Sequence, residues 1–174
     1  MRFHRFTVLA LAAGLVLSQQ ACTPVEGPSG DPVSFTAPSE GAADPVLSGR
    51  HRFVIKPVGG GGSTLALDAQ GRLNLTDGET GREVFVLVPT GDKYLVKADE
   101  TSCLGVRESH TVAAAPCDAS LPGQLFTITQ RPDQPAYAIS NQGAYLQVSA
   151  RNGVVVAQRG DASYTFVDKG PSGS

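Results

Sequence analysis

From residue 49 onward, apolar residues come in short runs divided by polar turns. Between residues 93 and 130 four such runs occur: 94–96, 103–106, 111–115 and 125–128. They are rich in β-branched and aromatic residues and end at Pro, Gly or charged residues, which predicts strands. No i, i+3, i+4, i+7 stripe of useful length competes with that reading. A unit of four strands cannot bury its own apolar face, so a recurrence is expected.

The unit recurs. Phe53-Val-Ile-Lys56, Tyr94-Leu-Val-Lys97 and Tyr137-Ala-Ile-Ser140 open three copies, 41 and 43 residues apart. Leu65, Leu104 and Leu146 mark the second strands, at spacings of 39 and 42. Third strands read Arg72-Leu-Asn-Leu75, Thr111-Val-Ala-Ala114 and Gly153-Val-Val-Val156. Glu83-Val-Phe85, Gln124-Leu-Phe126 and Tyr164-Thr-Phe166 are expected to open the fourth strands in register. Leu65, Leu67, Leu104, Val106, Leu146, Val148, Phe85, Phe126 and Phe166 are the expected shared core. Three copies of about 40 residues predict a closed, threefold all-β structure, which removes sheet edges. Three units are too few for a propeller of WD-type blades, and no Trp exists to supply their Trp-Asp pair.

The middle copy carries a family resemblance. Cys103-Leu104-Gly105-Val106, then Cys117, then Gln124-Leu125-Phe126 resembles the ricin-type β-trefoil repeat of Cys-Leu-Asp-Val, Cys and Gln-x-Trp. The resemblance covers residues 49–169; the outer copies keep spacing and aromatic but lack the cysteines and the Gln. It implies a β-trefoil and a glycan as the first ligand class. In that family the Asp of the second strand accepts hydrogen bonds from sugar hydroxyls. Carried over, its positions here are Ala66, Gly105 and Gln147, none a carboxylate. Gln147 is therefore the best surviving candidate, with Arg151, Asn152 and Gln158 following in the same copy. Asp68 lies two residues beyond Ala66 and is the remaining candidate. The plainer reading of these residues is a solvent-facing strand residue at 147, a hairpin turn at Asn152-Gly153 and a turn cluster at Asp68 to Gly71.

Residues 1–21 have the layout of an export signal. Arg2 and Arg5 precede an apolar run, residues 8–17, too short to span a bilayer. Ser18-Gln-Gln-Ala-Cys22 resembles a bacterial lipoprotein signal, in which the Cys becomes the acylated first residue. Gln19 departs from its usual aliphatic residue, and simple secretion is the alternative. An exporting compartment permits a Cys103–Cys117 disulfide. That pairing leaves Cys22 as the odd cysteine, which lipidation would use. Residues 22–48 hold five prolines and three glycines and little to bury, as expected of a disordered tether. The expected domain is residues 49–169, with 170–174 a disordered tail.

Composition narrows the partners. Without residues 1–21 the chain carries 12 Lys/Arg against 16 Asp/Glu, a net charge of −4. With no Lys/Arg cluster this argues against nucleic acid and against an anionic lipid surface. His51 and His110 have no metal-ligand spacing, so neither metal nor cofactor is expected. Gly59-Gly-Gly-Gly-Ser-Thr64 lacks the Lys of a phosphate loop and reads as a hairpin loop. No Gly-x-Ser-x-Gly elbow is present and the domain cysteines are better used in a disulfide, so no enzyme is expected. The expectation is a monomeric, exported, lipid-anchored envelope protein that binds a glycan. Two alternatives stay open. One is a protein-binding trefoil, such as a protease inhibitor using loop 106–109 or 131–135, or a surface interaction protein. The other is a structural envelope lipoprotein without ligand.

Overall fold

The computed structural model describes residues 44–149 and 153–173. The signal, Cys22 and most of the expected tether lie outside the described residues, as do Arg151 and Asn152. Twelve strands follow in order: β1 (His51–Pro57), β2 (Thr64–Leu67), β3 (Leu73–Thr76), β4 (Val84–Thr90), β5 (Lys93–Lys97) and β6 (Ser102–Val106). Then come β7 (Val112–Pro116), β8 (Leu125–Gln130), β9 (Tyr137–Asn141), β10 (Ala144–Ser149), β11 (Gly153–Ala157) and β12 (Tyr164–Pro171). A single 3-10 turn, Pro122–Gln124, precedes β8. No helix among the described residues is long and apolar enough to cross a membrane.

The first and last strands of each copy close a ring. β1 pairs with β4, β4 with β5, β5 with β8, β8 with β9, β9 with β12 and β12 with β1, all antiparallel. The six leave no edge in that ring. The inner strands form three hairpins, β2–β3, β6–β7 and β10–β11. These meet each other: Ala114 N donates to Gly71 O at 2.8 Å, and Val156 N to His110 O at 2.8 Å. A Cβ on Gly153 would lie 1.9 Å from Asn74 Oδ1, so the third hairpin approaches the first where only glycine fits. A six-strand ring with a triplet of hairpins over one end is a β-trefoil.

The core repeats in threes. Ile55, Val96 and Ile139 come from the opening strands, and Leu65, Leu104 and Leu146 from the second strands. Leu73, Val112 and Val154 come from the third strands. In the fourth strands the register corrects the expectation. Phe85 stands opposite Phe53, and Phe126 opposite Tyr94, but Tyr164 stands opposite Tyr137. The third member of the aromatic set is therefore Tyr164, fully buried, while Phe166 is only partly buried. Side chains alternate with period two, so a two-residue shift keeps the inward face and escapes a spacing argument. Phe166 instead meets Phe53 and Tyr137 edge-to-face, at ring distances of 5.8 and 5.2 Å. Val148, expected in the core, is 41% exposed near the hairpin tip; Val106 is half-buried against the core.

Residues 44–48, expected at the end of the tether, pack on the barrel. Val46 is buried in the core. Tyr137 Oη donates to Asp44 Oδ2 at 2.6 Å, and Tyr94 Oη reaches Leu47 O at 3.5 Å. Both tyrosines stand at the start of their strands, so this strap crosses the end of the ring opposite the hairpins. Burial, then the Asp44 carboxylate, push the Tyr137 phenol well above its ordinary pKa. At the other terminus β12 continues to Pro171, beyond the expected boundary at Lys169.

Candidate functional site: an open cleft beside Gln147

The three positions matched to the family's Asp differ in surroundings. Ala66 and Gly105 are buried; Gln147, on β10 opposite Val155, is partly exposed. Gln147 lines a cleft of about 230 Å³ together with Val148, Ala162 and Ser163. The opposite wall comes from the first copy: Pro57, Val58, Gly59 and Gly60. Val58 N donates to Ser163 O at 2.8 Å, which holds the glycine-rich loop against the third copy. That wall was invisible in sequence, because the loop's role depends on a partner from the far end of the chain.

Gln147 is not satisfied. Its Nε2 is buried and has no hydrogen-bond partner. It packs on Gly160, where a Cβ would come within 1.3 Å of Nε2. Among the described residues two other buried side-chain atoms lack partners, Arg131 Nε and Tyr164 Oη. All three adjoin one segment: Gln147 contacts Gly160, Arg131 Nη2 reaches Ala162 O at 3.4 Å, and Tyr164 follows Ser163. Buried orphans are few in native proteins, and each asks for a reason. Burial alone pushes the Tyr164 phenol far above its ordinary pKa, so its hydroxyl stays protonated and a donor.

The other candidates sit elsewhere. Asp68 organises the turn between β2 and β3. It accepts from Gln70 N at 2.9 Å, Arg72 N at 2.8 Å, Arg72 Nε at 3.0 Å and Asn74 Nδ2 at 2.8 Å. Its desolvation, the largest single influence, raises its pKa, but the bonds from Arg72 and Gln70 together outweigh it and the net shift is downward. These bonds leave the carboxylate to the turn and not to the Ala66 position. Gln158 is exposed and does not line the cleft.

The two loops considered for protease inhibition are tied down. Loop 106–109 is a tight turn in which Arg107 N donates to Thr111 O at 2.8 Å and Arg107 Nη2 to Ala114 O at 2.8 Å. In loop 131–135, Arg131 N bonds Ala136 O at 2.7 Å and Gln134 Nε2 bonds Ser163 Oγ at 3.2 Å. His51 Nδ1 lies 2.7 Å from Asp168 Oδ2, and His110 turns the β6–β7 hairpin at a φ of 61°. Among the described residues no group of three or more His, Cys, Asp or Glu side chains converges on a metal-sized site.

In the second copy, Cys103 and Cys117 form a disulfide with a Cα separation of 4.8 Å. Gln124, two residues ahead of Phe126, is 3% exposed. Its Nε2 donates to Pro116 O at 2.9 Å and its Oε1 accepts from Asp118 N at 2.9 Å. Its counterpart two residues ahead of Tyr164 is Ala162, which leaves the space beside Gln147 open.

Solved structures share this architecture. SeviL, bound to an asialo-GM1 saccharide, superposes with a TM-score of 0.58 over 69% of this chain and 98% of its own, at 14% identity. The BEL beta-trefoil in an apo crystal form gives 0.58 over 68% and 92%, at 15% identity. Hisactophilin, described as similar to interleukin-1 beta and fibroblast growth factor, gives 0.54 over 68% and 98%, at 14% identity. At these identities the likeness is one of fold. No family model matches the sequence, and no curated protein matches it.

Proposed function

We propose that this chain is an exported, lipid-anchored carbohydrate-binding module, and that a sugar occupies the cleft beside Gln147. One observation carries the reading: Gln147, at the position where the ricin-type resemblance places a sugar-binding carboxylate, lines an open cleft while its Nε2 is buried against Gly160 without a partner. An amide supplies both a donor and an acceptor, which suits a hydroxyl or an acetamido group. Ala66 and Gly105 supply neither, so a single site is expected per chain. SeviL, of the same fold, was solved with a saccharide, which supports a sugar as the ligand class. Export and anchoring rest on residues 1–22, with the proline-rich stretch behind Cys22 as a spacer.

A single shallow site of this kind binds near millimolar, about −4 kcal/mol. The test is therefore a glycan array probed with the chain from Thr23 onward, displayed multivalently so that avidity lifts weak binding. A hit competed by free sugar and lost in Gln147→Ala supports the reading. A blank array from folded protein overturns it. Anchoring is tested separately by intact-mass analysis of the exported protein: diacylglyceryl mass on Cys22, absent in Cys22→Ser, is the expected result, and an unmodified N-terminus overturns it.

A further inference from the structure

The second copy has a hollow of its own, and its chemistry is different. It measures about 260 Å³, close to the size of the cleft beside Gln147, so lining rather than volume separates the two. Its floor is backbone. A Cβ on Gly105 would lie 3.2 Å from Gln124 Cγ, and one on Gly123 would lie 3.3 Å from Val106 O. Val106, Ala115, Leu121 and Pro122 form the walls, and Leu121 is left 48% exposed at the rim. The one side-chain amide in its lining is already used: both ends of Gln124 are bonded. Nothing there offers a hydroxyl the paired donor and acceptor that a sugar needs.

One charge stands at the rim. Arg107 is exposed and lines the hollow. Its Nη2 donates to Ala114 O, and neither ion pair among the described residues involves it. An apolar hollow beside an unpaired guanidinium is complementary to an apolar side chain next to a carboxylate. The Cys103–Cys117 disulfide, two residues ahead of Gly105, and the bonded Gln124 brace the floor before any partner arrives, which lowers the ordering cost of binding.

We propose that this hollow is a docking site for a protein partner: it seats one leucine-sized side chain, and Arg107 pairs with a carboxylate beside that side chain. The site is separate from the cleft beside Gln147 and does not rest on sugar binding there. Arginine is among the residues enriched at interface hot spots.

The probe is N-acetyl-L-leucine, which joins the two features in one small molecule. It is titrated into the ¹⁵N-labelled chain from Thr23 onward while amide shifts are followed. Saturable shifts at Gly105 and Gly123, with none at Gln147, are expected. N-acetyl-L-leucinamide, which lacks the carboxylate, binds about threefold more weakly, the scale of an exposed ion pair. Arg107→Gln removes that preference, and Leu121→Ala weakens both ligands; both changes are on the surface and leave the spectrum folded. Any of these results overturns the proposal: no saturable shift at Gly105 and Gly123, equal binding of acid and amide by the unaltered chain, or octanoate binding more tightly than N-acetyl-L-leucine, which would assign the hollow to a lipid chain. A free sugar that displaces the probe also overturns it.

Discussion

In the second copy the glutamine comes from the approach to β8. Gln124 lies over Gly105, and both ends of its amide are bonded to the loop behind the disulfide. In the third copy the glutamine comes from β10. Gln147 lies against Gly160 beside the small Ala162, and its Nε2 has no partner. The two copies thus exchange a large and a small residue across the same pair of positions, Gly105 with Gln124 and Gln147 with Ala162. A satisfied buried amide fixes local structure, whereas an unsatisfied one costs stability. A copy that tolerates that cost beside an open cleft is the better place to look for a ligand. The copy closest to the family pattern in sequence is the one whose amide is already used internally.

The disulfide is the largest asymmetry between the copies. Its cysteines are 14 residues apart. Closing a loop of about that length contributes roughly 3 kcal/mol in the chain-entropy model. Replacing both Cys103 and Cys117 by Ser should lower unfolding stability by that amount in a urea titration, and should leave the glycan binding proposed for the third copy unchanged. Loss of sugar binding in a variant shown to be folded would mean that the two copies are coupled and the comparison is too simple.

Next in size is Gln124→Ala. It leaves Pro116 O and Asp118 N unpartnered under the hollow and opens a small void. A loss of about 2 kcal/mol is expected by denaturant midpoint. Gln147→Ala, the matching change in the third copy, should cost less than about 0.5 kcal/mol because it removes an orphan rather than a bonded group. If the two changes cost the same, the difference in hydrogen bonding is not what distinguishes the copies.

The fold was readable in the chain because the leucines 65, 104 and 146 and the opening aromatics 53, 94 and 137 keep their spacing. Each set faces one core, and packing allows little drift. The last copy misled at Phe166 because Tyr164 lies two residues earlier on the same face. The site was only half readable. Gln147 could be named from the family position, but Val58 to Gly60 and Ala162 could not, since one wall comes from another copy and the other works by being small. Asp68 stands two residues beyond the Ala66 position, but a local turn consumes its lone pairs. A turn of that type competes for Asp wherever backbone N–H groups two and four residues on can reach it.

Tyr164 is the third test, and here the expected sign is favourable. Phe85 and Phe126 fill the same place in the other copies, and the Tyr164 hydroxyl is buried without a partner. Tyr164→Phe should stabilise the protein by about 1 kcal/mol, the lower end of the penalty for a buried unsatisfied group. A loss of stability would show that the hydroxyl finds a partner in solution, and would remove it from the orphan set around residues 160–164.

The smallest effect is the sharpest discriminator, because its sign depends on the background. Gly160 is not among the glycines with positive φ, so alanine fits the backbone there. The obstacle is the Gln147 amide, 1.3 Å from where the new methyl would sit, with Gln147 Cδ at 2.5 Å. That amide is the free end of a side chain, so Gly160→Ala should displace it at a cost below about 1 kcal/mol, the scale of a strained rotamer. With Gln147→Ala already in place nothing obstructs the methyl. The same change should then stabilise by about 0.4–1 kcal/mol, through the smaller conformational freedom of the unfolded chain. A double-mutant cycle read by denaturant unfolding measures the reversal as a coupling energy. Additive effects would mean that Gln147 does not rest on Gly160, and that its amide already points into the cleft without a ligand to draw it there.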